Sequence, residues 1–174
     1  MIYILKIETS TILKPLLIVL IGHNCLLFFK EKMLVNTSYN EKKITQTINE
    51  LVGKPFGLID NIKLNGIGSP RLDIIKTSEE IATLLSYDNN RNFCNVELRP
   101  KGIIIRFRSL LETFSLIIPF YKLVIFKPAN FFTLHVDHHF ISIDAPPKNK
   151  SVNSFMEKLN QFKAENSPMY IDDL

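Results

Sequence analysis

A basic pair and a histidine-rich turn are the places where this chain's residue types and spacing could do chemistry. In "LRPKGIIIRFR", Arg106 and Arg108 stand two residues apart. If the stretch is a strand, side chains alternate. The two guanidiniums then point the same way, and Ile105 and Phe107 face the opposite side. Lys101 sits in the turn that feeds the strand. Lys101, Arg106 and Arg108 together could hold phosphate through charge-assisted and bidentate bonds. The plainer alternative is a pair of solvated arginines on the polar face of a half-buried strand. In "HVDHH", His135, Asp137 and His139 would share a face in an extended chain, and imidazole with carboxylate suits a transition metal. Asp137 and His138, however, fall where a hairpin must turn, because Asp and His tolerate left-handed angles. An exposed turn with no further groups to orient ligands is expected there, and no metal.

Nothing marks a nucleophile beside a base. Cys94 lies within a predicted strand, where a buried thiol behaves as a small hydrophobe, and strands separate it from the histidines. There is no phosphate loop, dinucleotide fingerprint or zinc spacing. Glu79-Glu80 and Asp172-Asp173 read as a helix start and a tail. No catalytic residue and no cofactor are therefore expected. The formal charge of +4 permits an anionic partner without implying one. Basic and acidic residues interleave along the chain, so no dedicated nucleic-acid face is expected.

These residues must be positioned by something, and 174 residues at 46% hydrophobic suit one domain with a sizeable core. Two cysteines without a disulfide framework favour a reducing, cytoplasmic setting. Residues 1–32 form an apolar segment with three readings. It is a membrane-associated anchor through residues 11–29, a packed helix, or an over-extended start upstream of Met33. As a spanning helix it is poor, because Gly22, His23 and Asn24 interrupt the apolar run.

Residues 33–92 read as a helical part. Ser38 and Glu41 form a capping box for a helix over 39–52, with Ile44, Ile48 and Leu51 at helical spacing and Gly53 as its left-handed stop. A Gly- and Pro-rich loop follows, with a short strand at Leu58 to Leu64. Thr77-Ser78-Glu79-Glu80 opens a second helix that ends at "SYDNNRN".

From Phe93 the texture becomes that of strands. Phe93 to Leu98 pairs with Ile103 to Arg108 across Arg99-Pro100-Lys101-Gly102, where proline sets the turn and glycine takes the unusual backbone angle. Thr113 to Ile118 and Leu123 to Lys127 flank Pro119, which should mark a strand junction. "FFTLHV" and "HFISIDA" form a last hairpin. Ser151 caps a final helix whose Val152, Phe155, Met156, Leu159 and Phe162 share one face. Residues 167–174 are an acidic tail. The expected architecture is α+β: N-terminal helices, then about six strands in a bent antiparallel sheet or partly open barrel, closed by a C-terminal amphipathic helix.

In order and texture, "LRPKGIIIRFR", "SLIIPFYKLVIFK", "FFTLHVDHHFISI" and the helix from Ser151 resemble the pleckstrin-homology-like superfold over residues 93–166. "ELRPKGIIIRFRSLLET" also looks like a stretch shared by uncharacterised bacterial proteins. The superfold normally has seven strands. Its phosphoinositide-binding members use a Lys in this hairpin and a basic-x-Arg pair on its second strand, so the resemblance implies Lys101, Arg106 and Arg108 as contacts for an anionic partner. A fold does not imply a function. The expectation is a non-enzymatic interaction module that binds a protein segment or an anionic membrane surface. The alternative is a small ligand-binding protein or enzyme with its site in the barrel mouth.

Overall fold

A computed structural model describes residues 33–89, 91–128 and 130–166. The three readings of residues 1–32, and that of the tail, lie outside the described residues. In chain order the elements are β1 (Leu34–Asn36), α1 (Lys42–Val52), α2 (Leu58–Lys63), β2 (Leu72–Thr77), α3 (Glu79–Ser86), β3 (Phe93–Arg99), β4 (Gly102–Ser109), β5 (Glu112–Pro119), β6 (Val124–Phe126), β7 (Phe131–Val136), β8 (His139–Asp144) and α4 (Lys150–Asn166). The eight strands make one sheet in the order β1-β5-β4-β3-β2-β8-β7-β6. Among the described residues every pairing is antiparallel and the sheet does not close, with β1 and β6 last in the strand order. The fold is α+β with a C-terminal helix. Among the described residues no helix is long and apolar enough to cross a membrane.

The meander β3–β4–β5 explains the unbroken apolar runs. Ile103, Ile105 and Phe107 join Leu116 and Ile118 in the main core, to which α4 adds Val152, Phe155, Met156 and Leu159. On the other face Ile104 and Ile117 are buried by Val52 of α1, with Ile48 and Leu51 packed beside them. With both faces covered, the strands lose the simple alternation of a half-wet sheet. Each fully buried Ile or Val adds about 1.5–3 kcal/mol.

β2 joins the two halves. Leu72 and Asp73 pair with Cys94 and Phe93 of β3, and from Ile74 to Thr77 the strand pairs with β8 instead. The register shifts between Ile74 and Lys76, the position where an extra residue bends a strand. The expected order of helices first is therefore wrong: β1 precedes α1, and β2 separates α2 from α3. Leu58 to Leu64 is also a helix and not a strand. Asp60 in its first turn and Lys63 in its last match the helix dipole, and Leu58, Ile59 and Ile62 are exposed.

Several ends differ from local expectation for identifiable reasons. Ser38 does not cap α1. Its Oγ accepts from the Thr113 N–H at 2.8 Å, while Thr37 N–H donates to Thr113 O at 2.8 Å. The chain is thus still following β5, and α1 starts only at Lys42. In α4 it is Asn149, not Ser151, whose Oδ1 accepts from the Val152 N–H at 3.3 Å. Gly53 ends α1 with φ +86°. Gly102 does not have positive φ. It is glycine for space, since a Cβ there would lie 2.3 Å from Ile118 O and 2.7 Å from Val52 Cγ1. Pro119 is the last residue of β5, as a strand junction requires.

Candidate functional site

Arg106 and Arg108 share the outer face of β4 with Ile104, in register with Asn95 and Ser115 for Arg106 and with Thr113 for Arg108. Their surroundings differ. Arg106 Nη1 donates to Glu97 Oε2 on β3. Glu97 Oε1 lies 2.5 Å from Arg99 Nε, an ion-pair contact whose angle falls outside hydrogen bonding. Arg99 is 6% exposed, and its Nη1 reaches Gly53 O at 3.4 Å. One carboxylate thus serves two guanidiniums, which lets Arg99 be buried beneath the end of α1. A cleft of about 450 Å³ opens there, lined by Arg99, Arg106, Ile44, Ile48 and the 37–40 segment.

Lys101 stands at the opposite end of the strand. At roughly 3.3 Å per residue, β4 holds it about 20 Å from Arg108. Its backbone N–H donates to Val52 O at 3.0 Å and its carbonyl accepts from Phe120 N–H at 2.9 Å.

Arg108 has other company. Arg71, from the segment before β2, and Arg91, from the segment before β3, line the same hollow of about 480 Å³, together with Asp88, Phe93, Leu110 and Leu111. Arg71 lies with its guanidinium carbon 3.7 Å from the Phe93 ring centroid, a cation–π arrangement that holds it in place. Arg91 Nη2 donates to Asp73 Oδ2 at 2.9 Å. The β4–β5 turn beside them consists of Leu110 and Leu111, 57% and 89% exposed, and Leu110 has φ +54°. A two-residue hairpin that needs positive φ ordinarily takes Asn, Asp or Gly. A leucine there is strained by roughly 1–2 kcal/mol, and more than half of the Leu110 surface stays in solvent.

The histidines are not gathered as an extended strand would gather them. Asp137 takes φ +50° in the β7–β8 turn and accepts from Lys122 Nζ at 3.4 Å. The His135 ring lies 5.4 Å from that of Phe140 across the hairpin. His139 turns inward, 4% exposed, with Nε2 3.8 Å from Glu80 Oε2 at the start of α3. Cys94 is fully buried, and its thiol is pushed up to about 12, first by burial and then by the charge of Asp73. It is a protonated hydrophobe at neutral pH, not a nucleophile.

The inside of the fold is packed with side chains, among them Phe107, Phe120, Phe132, Leu72 and Ile81, each at most 2% exposed. Among the described residues the hollows beside Arg106 and Arg108 are surface clefts. Sequence reasoning missed Arg71 and Arg91, because they come from irregular segments that only the pairing of β2 with β3 brings beside Arg108. It missed the Leu110-Leu111 tip as well, although "SLLE" lies between the two strands it predicts and was the signal that could have found it. No family model matches the chain, and neither the curated proteins nor the solved structures contain a match.

Proposed function

We propose that this chain is a non-enzymatic interaction module on a pleckstrin-homology-like frame, and that it docks on an anionic membrane surface through the β4–β5 turn. For the frame, β2 to β8 supply seven strands, with β2 exchanging partners between the two halves, and α4 follows them. For the docking, the carrying observation is the exposed, strained Leu110-Leu111 pair beside Arg71, Arg91 and Arg108. Apolar tips enter the headgroup region, and basic residues beside them add about 1 kcal/mol each on an anionic leaflet. Asp88 lines the same hollow and Asp73 holds Arg91, so the attraction is local and modest and the leucines carry much of it.

Sedimentation of the full chain with phosphatidylcholine vesicles, with and without phosphatidylglycerol, tests this. Binding is expected only to the anionic vesicles, to weaken with salt, and to fall more than about tenfold on Leu110→Asn with Leu111→Ser. Arg71→Ala with Arg108→Ala should remove the preference for anionic lipid. Comparison within the full chain cancels any contribution of residues 1–32. No binding by the wild type, or tip variants that bind as it does, sinks the proposal.

A protein segment is the second reading, favoured by β6. This short strand, last in the sheet among the described residues, leaves Val124 and Phe126 58% and 59% exposed, and a sheet edge with apolar side chains accepts an added strand. Under that reading Val124→Lys abolishes peptide binding and leaves vesicle binding unchanged.

A further inference from the structure

We infer that Glu80, His138 and His139 form a binding site for a divalent transition ion of the zinc class, which clasps the start of α3 to the β7–β8 turn. One ligand atom from each of the three lies within 4.8 Å of the others. The His138 and His139 ring centroids are 4.0 Å apart, and His139 Nε2 is 3.8 Å from Glu80 Oε2.

The backbone sets this convergence. Thr77 pairs with Ile141 at the end of β2, and Ser78 N–H donates to Phe140 O at 3.0 Å. Glu80, on the first turn of α3, is thereby held over the first residue of β8. Asp137, at φ +50°, reverses the chain so that the adjacent His138 and His139 come to the same side.

The donor set selects the ion. Two imidazoles and one carboxylate, with the remaining position left to water, suit zinc and neighbouring borderline ions; magnesium and calcium prefer all-oxygen sets. Bonds of roughly 2.0–2.2 Å in a tetrahedron put ligand atoms about 3.4 Å apart, so the three must close by a little over an ångström at most. The buried His139 is fixed, while Glu80 and His138 are exposed and can rotate to it. Asp137 does not compete, because it is engaged by Lys122. The trio differs from the His135, Asp137 and His139 set that an extended strand would present.

Calorimetric titration of the metal-free full chain with zinc chloride tests the site. One zinc per chain is expected, with His138→Ala and Glu80→Gln each weakening it by more than about tenfold and His135→Ala leaving it within about twofold. Both ligand variants alter exposed side chains, so their metal-free melting temperatures should match the wild type, and zinc should raise only the wild-type value. Cobalt substitution gives an independent reading, since its visible bands should be lost on His138→Ala. No zinc binding by the wild type, or binding that both ligand variants leave unchanged, overturns the inference. The second outcome would place the metal elsewhere.

Discussion

The two ends of strand β4 are built on opposite terms. At Gly102 the turn is sealed. The neighbouring Lys101 backbone is bonded to Val52 and Phe120, and there is no room for a Cβ between the strand, β5 and α1. At Ser109 the strand runs into Leu110 and Leu111, which touch solvent, and the backbone of Leu110 is held where leucine is uncomfortable. The β7–β8 turn makes a useful third case. Its Asp137 has nearly the same φ, +50° against +54°, and Asp is a residue that tolerates it. The Gly102 end and the Asp137 turn are explained by their own local geometry. The Leu110 turn is not, and that unexplained strain is what the docking proposal builds on.

The largest expected effect tests the sealed end. Gly102→Ala forces Ile118, Pro119 or Val52 to move and should destabilise the fold by about 3 kcal/mol, read from the denaturant midpoint at unchanged slope. A loss below about 1 kcal/mol would mean that α1 yields easily and that the seal is loose.

Next comes the ion pair that lies between the two ends. Glu97→Gln leaves the guanidinium of Arg99, which is 6% exposed, without its shared carboxylate and should remove about 2 kcal/mol. Arg106→Ala should cost far less, because that guanidinium is partly in water. Equal losses would show that burial of Arg99 is not what makes the carboxylate matter.

The smallest effect has the opposite sign. Leu110→Asn should raise stability by roughly 0.5–1 kcal/mol while weakening vesicle binding. The matching change at the other turn, Asp137→Asn, should be close to neutral. A destabilised Leu110→Asn variant would show that the leucine serves the fold, and the contrast between the turns would collapse.

The strands from Phe93 to Asp144 were legible almost to the residue, because alternation, turn residues and Pro119 all speak locally. β1 was not, since three residues carry no period and only β5 makes "LVN" a strand. "LIDNIK" looked like a strand because its apolar residues are few and close together, yet it forms a helix. The lost capping box shows the same limit: Ser38 is a capable cap that β5 claims first.

Of the candidate contacts, the shared face of Arg106 and Arg108 follows from a period of two and needed no structure. That Arg106 is engaged by Glu97 while Arg108 joins Arg71 and Arg91 depends on which strands lie side by side. By itself, then, the sequence determined the α+β class, the antiparallel hairpins, the apolar face of α4 and the shared face of Arg106 and Arg108. Each is a matter of spacing within one element. Only the tertiary structure decided that β2 bridges the two halves, that three arginines meet beside Leu110 and Leu111, and that Glu80 faces His138 and His139. Those are contacts between residues far apart in the chain, chosen by the joint burial of all the strands, and no local pattern carries that information.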